Sequence, residues 1–132
     1  MVGYSGQSFD EDQALDLVRT AFDTITDRYP QHDVTVVSGL TNVGIPAIAY
    51  AEAARRGWRT AGVACARAAQ YNCYPVDEEP VLIGKEWGEE SRAFIENINV
   101  LIRVGGGKQA HTETAMAKEQ GKPVFEYDLP AR

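Results

Sequence analysis

Short runs of β-branched and aliphatic residues alternate along this chain with longer segments of helical periodicity. Buried parallel strands read as continuous apolar runs of four to eight residues, and five segments have this character. They are Met1–Gly6, Val34–Ser38, Arg59–Ala64, Val100–Val104 and Val124–Tyr127. A sixth run, Val81–Gly84, is so brief that we leave it out of the predicted sheet.

The first helical segment has the clearest start and stop signals. Asp10 with Gln13 forms a capping-box pattern before it, Ser8 with Glu11 offers an alternative start, and a proline at position 30 marks its end. Its apolar positions recur at helical spacing and define one face. They are Ala14, Leu15, Val18, Ala21, Phe22 and Ile25. Three further helices are predicted at Ala47–Arg56, Glu89–Asn97 and Ala110–Gln120.

Strands that alternate with helices predict an α/β fold. We expect one Rossmann-like domain over residues 1–132, with a parallel sheet covered by helices on both faces. With the five strands numbered in chain order, the expected order in the sheet is 3-2-1-4-5.

Small residues follow three of the predicted strands, in the turns Ser5-Gly6, Gly39–Gly44 and Gly105–Gly107. Ligands of open α/β sheets bind outside the carboxyl ends of the strands, and a glycine turn before a helix directs N–H groups at an anion. A tight connection is the alternative explanation for any single glycine run. Taken together the turns predict a phosphate-bearing, nucleotide-like ligand. The candidate ligand-binding residues are Ser5, Gly6, Gly39, Thr41, Asn42, Gly44, Gly105, Gly106, Gly107, Lys108, Gln109 and Thr112.

Composition narrows the class of partner. The net charge of −6 without a Lys/Arg block argues against nucleic acid and against an anionic membrane as partners. No apolar run is long enough to span a membrane and no signal pattern opens the chain, so a cytoplasmic location is expected. Cys65 and Cys73 form no metal or redox motif. The acidic patch 77–79 has the composition of a solvated loop, with a divalent cation as the alternative. We predict neither a metal nor an organic cofactor.

The same segments resemble the SLOG superfamily, the Rossmann-like group that contains the LOG phosphoribohydrolases and DNA-processing protein A. VGYSG is similar to the family's first strand and turn, and VVSGLTNVGIPAIAYAEAARRGW to its second strand, glycine loop and alanine-rich helix. RTAGVA resembles the third strand, while NVLIRVGGGKQAHTE and GKPVFEY resemble the signature loop, helix and final strand. The resemblance covers nearly the whole chain.

The LOG signature PGGxGTxxE aligns with residues 105–113. Its two central glycines and its glutamate, Glu113, match, whereas its proline, later glycine and threonine are replaced by Gly105, Gln109 and Ala110. LOG enzymes also use an arginine from the preceding helix; Ser91 takes that place here and Arg92 follows it. The resemblance implies catalytic roles for Glu113 and Arg92 in cleavage of an N-glycosidic bond.

Two functions therefore stay open. The first is a non-catalytic module that binds a nucleotide or nucleotide-derived phosphate ligand, as a sensor or carrier. The second is a LOG-type nucleoside 5′-monophosphate phosphoribohydrolase. The altered signature favours the first, and the acidic charge disfavours a third, DNA-binding, function. Self-association, at least to a dimer, is also implied by the resemblance.

Overall fold

The predicted elements form at the expected places. The computed structural model describes residues 1–132. The strands are β1 (Val2–Gly3), β2 (Thr35–Ser38), β3 (Arg59–Ala64), β4 (Val81–Leu82), β5 (Leu101–Val104) and β6 (Val124–Tyr127). The helices are α1 (Glu11–Arg28), α2 (Gly44–Arg55), α3 (Ser91–Glu96) and α4 (Lys108–Glu119), with a short 3-10 helix at Ala66–Gln70.

Local chemistry explains where α1 begins. Asp10 is its N-cap, and the Asp10 carboxylate accepts a hydrogen bond from the backbone N–H of Gln13 at 3.0 Å. This bond satisfies one of the N–H groups that have no partner inside the helix. The predicted Asp10 start is therefore confirmed. The helix α2 begins earlier than predicted, at Gly44, whose φ of +62° lies in the left-handed region that favours glycine.

The α/β class with parallel strands is confirmed, but the single sheet of order 3-2-1-4-5 is wrong. The strands form two three-stranded parallel sheets, β1-β5-β6 and β2-β3-β4. The brief run at residue 81, left out of the prediction, is the edge strand β4 beside β3. The ladder that would join the sheets, between β1 and β2, does not form.

The division falls between β1 and β2. β1 has two residues, and its ladder is with β5. Its contact with β2 uses other groups: the amino group of Met1 donates to the carbonyl oxygen of Val37 at 2.5 Å, and the Ser38 hydroxyl donates to the carbonyl oxygen of Met1 at 2.7 Å. β1 therefore lies between β2 and β5, since Val2 pairs with Arg103.

Helices cover both faces of the strands. One core cluster joins α1 and α2 to one face, with Phe22, Ile45 and Ile102 among its buried members. The second joins α3 and α4 to the opposite face through Phe94, Leu101 and others. No helix is both long enough and apolar enough to cross a bilayer.

Candidate functional site

Three strand-to-helix turns meet at one cavity, which we call the turn cavity. Its volume is about 280 Å³. Of the residues predicted to bind a ligand or to act in catalysis, eight line it: Ser5, Gly6, Gly39, Thr41, Gly107, Lys108, Gln109 and Glu113. The parallel register of β1 against β5 aligns the carboxyl ends of these strands and so brings their turns together.

The amino end of α4 opens into this cavity. Gly107 is the N-cap, with extended φ and ψ of −96° and −151°, and no side chain caps the helix. Because the first N–H groups of a helix have no intrahelical partner, those of residues 108–110 are free to bind an anion. The helix dipole adds a partial positive charge there, of roughly half a unit.

Two of the glycines that were predicted to bind a ligand instead shape the backbone of the turn. Gly105 and Gly106 have φ values of +59° and +104°. A Cβ on Gly106 would lie 2.5 Å from the Cβ of Ala110, and one on Gly105 would lie 2.6 Å from the ring of Tyr4. These glycines permit the backbone path, and neither lines the cavity.

A buried arginine holds the same turn. Arg103 is 4% exposed, and its guanidinium donates to the carbonyl oxygen of Gly105 at 2.8 Å. It also donates to the carboxylates of Glu126 and Asp128, at 3.3 and 3.0 Å. The strands β5 and β6 therefore fix the start of the glycine turn through a side chain as well as through their ladder.

Other predicted residues lie outside the lining. Gly44 is a packing position, because a Cβ there would collide with the carbonyl oxygen of Tyr4. Asn42 and Thr112 are exposed and do not line the cavity. Arg92 is also exposed on α3 and away from the lining, so the structure does not bring it to Glu113.

Glu113 is the most perturbed acid of the turn cavity. It is 5% exposed, and its carboxylate accepts a hydrogen bond from the hydroxyl of Ser91 at 2.9 Å. Burial raises the pKa of the Glu113 carboxyl above its ordinary value, and the nearby charge of Glu90 adds to the rise. Hydrogen bonds from the side chains of Ser91 and Gln109 oppose it. Ser91 thus binds the glutamate directly.

Glu90 and Trp87 are among the lining residues that the sequence patterns did not predict. Glu90 is 4% exposed, and its carboxylate accepts from the backbone N–H groups of Gly88 and Cys65 at 2.7 and 3.1 Å. Trp87, 44% exposed, lines the open side of the cavity. In the sequence, an acidic residue just before a short helix is typical of a solvent-exposed helix start, where its charge faces the positive end of the helix dipole. Only the packing of β3 against α3 makes Glu90 a buried second carboxylate.

Two residues of the acidic patch 77–79 form hydrogen bonds within the protein. The carboxylate of Asp77 accepts from the backbone N–H and hydroxyl of Thr60, and that of Glu78 accepts from Arg59. No cluster of three metal-ligating side chains occurs in the chain. Both cysteines are free thiols.

Comparison with known proteins identifies a similar fold. No protein-family model and no curated protein matches the chain. A solved structure of the molybdenum cofactor binding protein from the phototrophic bacterium Rippkaea orientalis is similar, with a TM-score of 0.74 over 94% of this chain and 71% of that one. The two sequences are 20% identical, so the likeness shows the fold alone.

Proposed function

We propose that the turn cavity binds a small phosphate-bearing heterocyclic ligand, such as a nucleotide or a pterin-type cofactor, without transforming it. The observation that carries this proposal is the uncapped amino end of α4 at Gly107, which opens into a cavity that the turn of Ser5 and Gly6 also lines. The phosphate accepts from the free N–H groups of α4, and Lys108 adds a positive charge beside them.

The remaining lining suits the ring of such a ligand. Trp87 and Phe94 offer aromatic surface, and the carboxyl groups of Glu90 and Glu113 lie at the inner wall as partners for ring N–H groups. A cavity of about 280 Å³ is near the lower end of ligand pockets, so part of the ligand extends past Trp87 into solvent.

The similar fold supports the pterin alternative among these ligands. The protein from Rippkaea orientalis, whose fold is similar, is described as a molybdenum cofactor binding protein. This chain has no cluster of three metal-ligating side chains. The contacts that we propose are to the phosphate and to the ring of the ligand. Membership of the SLOG superfamily is part of the same proposal, since the fold and the position of the glycine turn support it.

A ligand panel tests the proposal. Thermal unfolding is measured with AMP, GMP, molybdenum cofactor, inorganic phosphate and, as the matched control, adenosine, which lacks the phosphate. A bound ligand at 100 times its dissociation constant adds about 2.7 kcal/mol to the free energy of unfolding. We expect at least one phosphate-bearing heterocycle to stabilise the protein and adenosine to leave it unchanged. Equal stabilisation by AMP and adenosine, or none by any compound, would overturn the proposal.

A LOG-type phosphoribohydrolase is the second candidate, and one observation favours it. Glu113 is a buried carboxyl with a raised pKa on the cavity wall, as expected of a general acid or base. Against it, Ser91 stands in the place of the family's arginine, and Arg92 is exposed and is not among the residues that line the cavity. Incubation with AMP separates the candidates, because only the hydrolase releases free adenine.

Self-association belongs to this proposal as well. The edge strand β4 and its continuation expose three consecutive apolar residues, Val81, Leu82 and Ile83, each at least 40% accessible to solvent. An exposed apolar edge strand is a surface that pairs with another chain. We expect a dimer in sedimentation at micromolar concentration, and a Leu82→Lys variant to shift it to the monomer. A monomeric wild type would contradict this part of the proposal.

A further inference from the structure

The turn between β2 and α2 contains a strained residue. Leu40 has a φ of +75°, and it is the only residue other than glycine with a positive φ. The N–H of Thr41 donates to the carbonyl oxygen of Gly39 at 2.9 Å. That bond and that φ together describe a γ-turn with a positive φ at its centre, which is a rare and strained conformation. Strained backbone persists only where the surrounding contacts hold it, and such residues cluster at ligand sites.

A buried tyrosine holds this turn in place. Tyr50 of α2 is fully buried, and its hydroxyl oxygen accepts from the N–H of Leu40 at 3.1 Å. The same hydroxyl donates to the carbonyl oxygen of Ala61 on β3 at 2.9 Å. The ring of Tyr50 stacks on that of Tyr74, and the N–H of Tyr74 donates to the carbonyl oxygen of Leu40 at 2.8 Å. Both main-chain groups of the strained residue are therefore bound.

The side chain of Leu40 is confined as well. It is 3% exposed and packs over Gly62 of β3, where an added Cβ would lie 2.5 Å from Cδ1 of the leucine. The glycine thus provides the space that the leucine occupies. Neither Leu40 nor Tyr50 lines the turn cavity. These contacts therefore affect the cavity only through the neighbours of Leu40 in the turn.

Thr41, the residue after Leu40, has an unused hydroxyl group. It is 7% exposed and lines the turn cavity, and its hydroxyl forms no hydrogen bond within the protein. No fully buried side-chain nitrogen or oxygen of this protein lacks a partner, so the small accessible surface of Thr41 includes its hydroxyl oxygen. Near-complete burial of an unpaired hydroxyl is unfavourable. A polar group of a ligand would satisfy it, because a hydroxyl both donates and accepts.

The position of Thr41 separates it from the amino end of α4. β1 lies between β2 and β5, so the turns that follow β2 and β5 are about 9.6 Å apart, which is two strand spacings. A single phosphate does not span that distance. The N–H groups of residues 108–110 and the hydroxyl of Thr41 therefore suit two different polar groups of one ligand.

We propose that Thr41 binds a second polar group of the ligand and that Tyr50 is the positioning residue that holds the Thr41 hydroxyl in place. This inference rests on the proposed function of the turn cavity. Tyr50 acts through Leu40, because its hydroxyl stabilises the γ-turn that brings Thr41 to the cavity. A phenylalanine at position 50 would keep the ring but leave the N–H of Leu40 and the carbonyl oxygen of Ala61 without this partner.

Calorimetric titration of the full chain with AMP, GMP and molybdenum cofactor tests the contact of Thr41. Thr41→Val removes the hydroxyl at nearly constant volume and should weaken binding at least about fivefold, the effect of one hydrogen bond. Thr41→Ser keeps a hydroxyl and should bind like the wild type. Equal affinities of Thr41→Val and the wild type would overturn the contact alone. A wild type that binds none of the three compounds would overturn the proposed function, and this contact with it.

Tyr50→Phe tests the positioning role. Tyr74→Phe is the matched control, because the stacked ring of Tyr74 has a hydroxyl that forms no hydrogen bond within the protein. We expect Tyr50→Phe to weaken binding at least about fivefold and the control to leave it unchanged. The double variant with Thr41→Val should bind no more weakly than Thr41→Val, because both changes remove one contact. Multiplied losses would show a merely structural Tyr50 and overturn the positioning role.

Hydrogen exchange shows whether the Tyr50 hydroxyl holds the turn, with no ligand present. The amide of Leu40 should exchange at least about tenfold faster in Tyr50→Phe than in Tyr74→Phe, and equal rates would overturn the proposal. If Tyr50→Phe does not fold, Gly62→Ala replaces it, since the added Cβ displaces the side chain of Leu40. Gly62→Ala should weaken binding in the wild type but not in Thr41→Val. Binding by Gly62→Ala as tight as by the wild type would then overturn the positioning of Thr41 through Leu40.

Discussion

Replacing Gly107 by aspartate gives the sharpest test of the anion site. The position tolerates a side chain: its φ of −96° suits any residue, and a Cβ there meets no atom within 4 Å. Aspartate is a favoured N-cap, so its carboxylate accepts from the N–H groups at residues 109 and 110. In doing so it occupies the donors that the proposed phosphate uses and adds a negative charge beside them.

The expected effects on stability and on binding have different sizes. A capping residue in place of glycine changes stability by only a few tenths of a kcal/mol, and the helix dipole favours the new charge. Two unit charges about 5 Å apart repel by about 3 kcal/mol at an effective dielectric constant of about 20. That energy corresponds to at least about 100-fold weaker binding. Gly107→Asp should therefore lose the ligand while its melting temperature stays within about 3 °C of the wild type.

Calorimetric titration with the phosphate-bearing ligand from the panel measures the effect. Gly107→Asn is the matched control, because its amide oxygen also caps the helix but carries no charge. We expect the asparagine variant to bind at least tenfold more tightly than the aspartate variant. Measurable and equal affinities of the two variants would refute an anion site at the start of α4.

Two further variants and one chemical modification test the electrostatics of the chain. Glu113→Gln should stay folded at pH 7, because burial raises the pKa of the native carboxyl and so favours its neutral form, which the amide resembles. If the wild type releases adenine from AMP, the rate of release should fall at least 100-fold in this variant. Acetylation of the Met1 amino group should flatten the stability profile between pH 5 and 8 in urea titrations. The folded pKa of about 5 lies below the ordinary 8.0, so the unfolded chain binds more protons in this window and the native stability rises with pH, by up to about 4 kcal/mol. Glu52→Gln should lower the free energy of unfolding at pH 7 by at most about 3 kcal/mol. Hydrogen bonds from Arg55 and two other arginines hold the pKa of Glu52 at about 2. The native carboxylate therefore adds stability above pH 4.5 that is lost as the pH falls to 2. If the free energy of unfolding of this variant fell between pH 4.5 and 2 as it does in the wild type, this role of Glu52 would be contradicted.

Local patterns determined the elements of this protein. Short runs with β-branched and aliphatic residues predicted β2, β3, β5 and β6 within two residues, because strands buried on both faces favour such residues. The cap at Asp10 and the helical spacing after it predicted α1. The turn cavity followed from the same reasoning, since parallel strands align their carboxyl ends whatever side chains they carry.

Only the tertiary structure decided which acids are buried and which strands pair. Glu90 and Arg92 are both charged residues at a short helix, and nothing local distinguishes them; the packing of α3 against β3 buries the first and exposes the second. The division into two sheets was equally hidden, because it depends on which of the two neighbouring strands β1 pairs with. Strand pairing and burial both depend on contacts between residues that are distant along the chain. A local sequence pattern does not say which distant residues will form those contacts.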